Sequence, residues 1–133
     1  MDALLDALVG FARKMLVQRS AFYPFAAEVT SDGRVQMVTA DLDAAEPPSE
    51  VVLAALHERL RGDASRGEVR AAGTCADVRI EADDGDGSSD AIRVEIEHRD
   101  ADPVRVFLPY VVEAPGRVVF GELRAELGPH VHF

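Results

Sequence analysis

Cysteine is nearly missing from this chain. Cys75 is the only one among 133 residues, so no intrachain disulfide can staple the fold, and a reducing, cytoplasmic setting is the default expectation. Cations are also scarce. Fourteen Lys and Arg face twenty-four Asp and Glu, a formal net charge of −10. Counterion release needs clustered basic side chains, so nucleic acid is excluded as an expected partner, and an anionic membrane surface would repel the chain. Long apolar runs are absent as well. Asp6, Arg13 and Lys14 interrupt the first one, and Met1-Asp2-Ala3 lacks a basic start, so neither a signal peptide nor a membrane span is expected. No Gly-rich strand-to-helix turn suggests a phosphate cradle, and Ser88 and Ser89 sit in no nucleophile-elbow pattern.

The composition is that of one globular domain, residues 1–133, with 47% hydrophobic and 29% charged residues. Leu4, Leu5, Leu8, Val9, Phe11, Ala12, Met15 and Leu16 form a broad helical stripe over residues 2–19, with Asp2 and Asp6 early and Arg13, Lys14 and Arg19 late, as the helix dipole favours. Pro24 stops any continuation. Residues 26–30 and 34–40 read as strands joined by Ser31-Asp32-Gly33, because Asp-Gly supplies the positive backbone angles of a tight hairpin. Pro47 and Pro48 open a second helix whose stripe is Val52, Leu53, Leu56 and Leu60, with His57 and Glu58 beside it and Gly62 as its expected stop.

Three alternating runs follow, residues 72–80, 91–99 and 104–110, which predict an antiparallel meander with one dry and one wet face. Avoiding like charges on the wet face sets Ile80 opposite Val94, with Arg79 facing Glu95 and Glu81 facing Arg93. It also sets Ile96 opposite Val106, with Glu97 facing Arg105; this preference amounts to about 1 kcal/mol. Residues 117–120 read as a short strand, and residues 121–128 as either a helical turn or an edge strand. The resulting expectation is an α+β, two-layer domain: an antiparallel sheet of about five strands carrying both helices on one face, with Leu8, Met15, Val52, Leu56 and Leu60 on Ile80, Val94, Ile96, Val106 and Leu108.

Four groups of side chains invite chemistry. Counting from Asp84, the acidic loop offers Asp86, Ser88 and Glu95 at calcium-loop positions, but Ser89 stands where the sharp turn needs Gly and the flanks read as strands, which favours a solvated hairpin loop. His130 and His132 fall on one side of an extended segment and, with His98, are the candidate metal ligands; Glu122 or Glu126 are the alternatives for the third position. Alternation sends Glu95, Glu97 and Arg99 to the wet face and His98 to the dry one, so a salt-bridge ladder explains them better than acid-base catalysis. Cys75 has Asp77 beside it, which raises a thiol pKa, and is read as inert. Phe107, on the polar face, is either a partner anchor or covered by the chain's last residues.

Phe22-Tyr23-Pro24-Phe25 with its hairpin, Ala91-Ile92-Arg93-Val94 running into Glu97-His98-Arg99, and Leu108-Pro109-Tyr110 together resemble a group of small, uncharacterised bacterial proteins. That resemblance implies no activity. Thirteen Arg against one Lys is similar to the usage of GC-rich bacterial genomes. The element order is similar to roadblock and longin (profilin-like) domains, which implies a protein-interaction platform. The expected function is therefore a non-enzymatic adaptor with no cofactor. Its partner would be a protein or a second copy, as a homodimer, met through the polar face around Phe107 and Arg105 or through an edge strand. The alternatives are a metal-binding or hydrolytic protein using His98, His130 and His132, and a small-ligand binder near Tyr23 and Tyr110.

Overall fold

Leu4, Leu8, Ala12 and Leu16 recur every fourth residue and all are sealed from solvent, which fixes the inner face of the first helix, Ala3–Arg19 (α1). The computed structural model describes residues 3–39, 47–81 and 87–133. Ser20 ends the helix in the left-handed region at φ 64°, its N–H on Leu16 O at 2.8 Å. The chain then enters Phe25–Thr30 (β1) and returns as Val35–Val38 (β2), with Gly33 at φ +93° in the expected hairpin.

The second helix, Ser49–Ser65 (α2), buries Val52, Leu56 and Leu60 and runs past Gly62, which is not its stop. Termination comes at Gly67, φ +72°, where Gly67 N–H donates to Ala64 O (3.1 Å) and Glu68 N–H to Asp63 O (3.2 Å). These two bonds satisfy carbonyls that Gly62 could not have reached as a cap. Val69–Glu81 (β3), Ser88–His98 (β4) and Val104–Ala114 (β5) form the meander, and Arg117–Phe120 (β6) and Arg124–Leu127 (β7) complete an antiparallel sheet of seven strands, where about five were expected. Of the two readings of residues 121–128, the edge strand is the one that forms.

The sheet order is β2-β1-β3-β4-β5-β6, with β7 pairing the first half of β5 and β6 its second half. Pro109 sits where one partner gives way to the other, so its missing N–H interrupts neither ladder, and its carbonyl accepts Gly121 N–H at 2.8 Å.

Both expected registers are corrected. Ile80 lies opposite Ser89, and Val94 opposite Cys75. This is an odd offset, so Ile80 and Val94 are on opposite faces and Arg79 pairs with Asp90 (3.0 Å) instead of Glu95. The cause is the start of β3 at Val69, which lets the small residues Ala71 to Ala76 lie opposite the charged end of β4. In the second pair Val94, not Ile96, faces Val106, so Glu95, not Glu97, meets Arg105.

The helices lie on opposite faces of the sheet, not on one. Along β1, Phe25, Ala27 and Val29 join the core built with Leu4, Leu8 and Leu16 of α1, and this first core continues through Cys75, Ile92, Val94, Ile96, Val106 and Leu108. Ala26 joins a second core with Val38, Val52, Leu56, Leu60 and Ala72. Val52, Leu56 and Leu60 thus never meet Val94 or Leu108. On the first face α1 approaches so closely that a Cβ on Gly73 would stand 2.7 Å from Leu8 Cδ1 and 3.2 Å from Glu95 O. On the second face α2 lies over β1 and β3, leaving the sheet beyond them without helix cover. No described helix is long and apolar enough to cross a membrane.

Candidate functional site

Beside α2 on the second face, β4 presents Glu97, whose side chain is 3% exposed. A buried carboxylate needs donors, and here the backbone provides them. Residues 129–133, which follow β7, cross the sheet so that Val131 N–H donates to Glu97 at 3.0 and 3.1 Å, His132 N–H at 2.6 Å and Phe133 N–H at 3.5 Å. Burial alone would raise the Glu97 pKa, but these three donors and the neighbouring His132 outweigh it and hold the group below the usual carboxylate range.

The rest of the segment is fixed with equal specificity. Arg61 Nε donates to Val131 O at 3.0 Å from α2. The Phe133 ring packs against the second core, with the Arg99 guanidinium 5.0 Å from its centroid. Arg99 is itself anchored, donating to Ala64 O at 3.1 Å and Val69 O at 3.0 Å. His132 stacks on His57 of α2, with His57 Nδ1 and His132 Nε2 2.8 Å apart. His132 Nδ1 is 3.2 Å from Glu97 Oε1 but too poorly aligned for a hydrogen bond. The carboxylate still favours the tautomer protonated at Nδ1, which leaves Nε2 to accept from His57. Burial, then the adjacent His57, pushes His132 down to about 4, against the pull of Glu97; burial likewise lowers His57.

In line, Glu97, His132 and His57 resemble a proton relay, yet the cavity they border is about 10 Å³ and is lined by no serine, threonine or cysteine among the described residues. That is roughly the space of one water. The arrangement holds a peptide backbone.

The expected metal ligands divide. His130 and His132 both reach Glu97, His130 Nδ1 at 3.4 Å from Oε2, whereas His98 points to the first face and borders a cavity of about 590 Å³ near Leu4, Val29, Arg70 and Asp100. Glu126 faces Arg105 at 3.6 Å. Among the described residues no group of three or more His, Cys, Asp and Glu side chains is placed to hold a metal ion. Of the calcium-loop residues, Asp84 and Asp86 lie outside the described residues, and Glu95 is engaged by Arg105 (2.9 Å) and Arg93 (3.6 Å). Cys75 is buried, and burial followed by Asp77 drives its thiol pKa upward. Tyr23 is exposed, whereas Tyr110 is buried with its hydroxyl donating to Asp77 at 2.6 Å.

A second buried carboxylate lies in the same cross-strand row, Gln36–Glu28–Ala72–Glu97. Glu28 accepts from Gln36 Nε2 at 2.9 Å, and its other oxygen has no donor but faces Asp63 of α2. Burial and a neighbouring carboxylate both favour the protonated form of Glu28. Burial first, then Asp63, raises Glu28 to about 7; Asp63 is lowered despite its burial by bonds from Glu28 and Arg59, with Arg66 adding its charge. Sequence reading missed Glu28, His57, Arg61 and Phe133 as parts of one face, although a carboxylate between the small apolar residues Ala26, Ala27 and Val29 was a visible signal of a buried acid.

No family model matches the chain, and no curated protein or solved structure matches it.

Proposed function

We propose that this chain is a non-catalytic interaction domain that pairs with a second copy of itself through the helix-free half of the second sheet face. One observation carries the reading: past the reach of α2 this face presents Val111 (57% exposed) and Val119 (49% exposed), with Ile80, Phe107 and Pro109 half-buried, and no described element covers them. Bordering this apolar field is a mixed-sign network, Arg93, Glu95, Arg105 and Glu126. A two-fold axis brings a patch against itself, so a surface holding both signs around an apolar centre satisfies its own requirements. A buried free thiol suits a reducing cytoplasm, and the excess of Arg over Lys supports a bacterial origin.

Two copies at −10 repel at long range, so pairing should strengthen as salt screens them. Sedimentation equilibrium at low and moderate ionic strength tests this. A dimer that tightens with salt and is lost in Val111→Asp supports the reading, and a strict monomer at every concentration and salt level overturns it.

A further inference from the structure

We propose that the groove between α2 and β4 is a peptide-recognition site, held in cis by residues 129–133, that accepts from a partner protein a turned segment with an aliphatic residue, an imidazole and a phenyl ring in succession. This is independent of pairing through the helix-free face.

Three features distinguish the seat of this segment from ordinary packing of a chain end. Recognition is of backbone as well as side chains: Glu97 takes the N–H groups of three consecutive residues, while Arg61 takes the carbonyl of the first of them. Three successive N–H groups converging on one carboxylate select a turned backbone, since in an extended strand they would point to alternate sides, and leave sequence choice to the pockets. The pockets are chemically distinct, His57 for an imidazole and the Leu56, Leu60 and Ala72 surface under Arg99 for a phenyl ring. Finally, the groove side has anchors of its own, since Arg99 is tied to two carbonyls of α2 and β3, and Glu97 stands in a paired row. The segment itself adds no strand to the sheet, as the last ladder ends at Leu127. Arg61 and Arg99 offset Glu97 in the groove, and Glu95 is engaged by Arg105 and Arg93, so recognition rests on backbone and shape and not on net charge.

The test uses the full chain carrying Val131→Pro and Phe133→Ala, which removes one N–H donor and the ring from its own segment. The probe is a fluorescein-labelled, C-terminally amidated peptide Gly-Pro-His-Val-His-Phe, followed by anisotropy with circular dichroism of the protein alongside. Saturable binding is expected, at least about tenfold weaker to the unaltered chain, whose own segment competes at a high effective concentration. Binding should also weaken at least about tenfold when Glu97→Gln is added, because an amide nitrogen then faces backbone donors. A folded double variant that binds no peptide overturns the proposal, as does binding that ignores Glu97→Gln. A double variant that no longer folds overturns it equally, by showing that the segment is an integral part of the fold.

Discussion

Replacing Glu28 by glutamine is expected to stabilise the protein at pH 8 and leave it unchanged near pH 4.5. Glu28 has no exposed surface, and its folded-state pKa stands at about 7 against an ordinary value of 4.5. Between those values the native chain holds a proton that the unfolded chain has released, so stability falls as pH rises through the window. At about 1.4 kcal/mol per pH unit, the loss reaches ~3 kcal/mol above pH 7. Glutamine reproduces the protonated state: its oxygen accepts from Gln36 and its amide donates to Asp63, with no charge to release. Urea unfolding of both proteins at intervals from pH 4.5 to 8 measures the difference directly, because every other titrating group is common to both. A difference that grows with pH toward ~3 kcal/mol is expected. A constant difference, or a variant that is less stable at pH 8, would refute a Glu28 held protonated by burial beside Asp63.

His132 works in the opposite sense. Its folded pKa is lowered from 6.5 to about 4, so its contribution is complete above pH 6.5 and is lost as pH falls toward 4. Relative to His132→Asn, the unaltered chain should lose up to ~3 kcal/mol over that range by urea unfolding, with Glu97, His57, His130, Arg61 and Glu95 the charged or titratable groups nearby. Glu97→Ala leaves the amides of Val131, His132 and Phe133 without their acceptor, and amide exchange followed by NMR should accelerate at all three. Gly73→Ala drives a methyl into Leu8 and the Glu95 carbonyl and should cost ~1–3 kcal/mol, read as a lowered Tm. Gly67→Ala meets no atom within 4 Å and should cost only the ~1–2 kcal/mol of a left-handed alanine.

The elements were largely legible because each rests on local rules: the fourfold spacing in α1, Asp32-Gly33 in the hairpin, Pro48 before α2. The faces were not. Period-two alternation in β4 and β5 suggested one dry side, while the unalternating stretch Ala71-Ala72-Gly73-Thr74-Cys75-Ala76 already described a strand covered from both directions. Given that stretch its full weight, the helices separate to opposite faces, the register slips, and Glu97 moves from solvent to interior. The site was half visible: His130 and His132 stood out by their spacing, but the carboxylate they approach lies 33 residues before the nearer of them in the chain, and only the fold brings Glu97 under Val131. Charge pairing chose the wrong register because a surface ion pair contributes little beside the burial of an entire strand.

Splitting the outer border of β5 between two four-residue strands has a consequence for solubility. An incoming chain seeking to extend the sheet finds a broken template there, interrupted at a residue with no amide hydrogen, and at the far border only the four residues of β2. Among the described residues neither rim offers the long, flat run of free donors and acceptors on which fibrils propagate. The pairing proposed for the flat side would in this way leave the rims out of polymerisation.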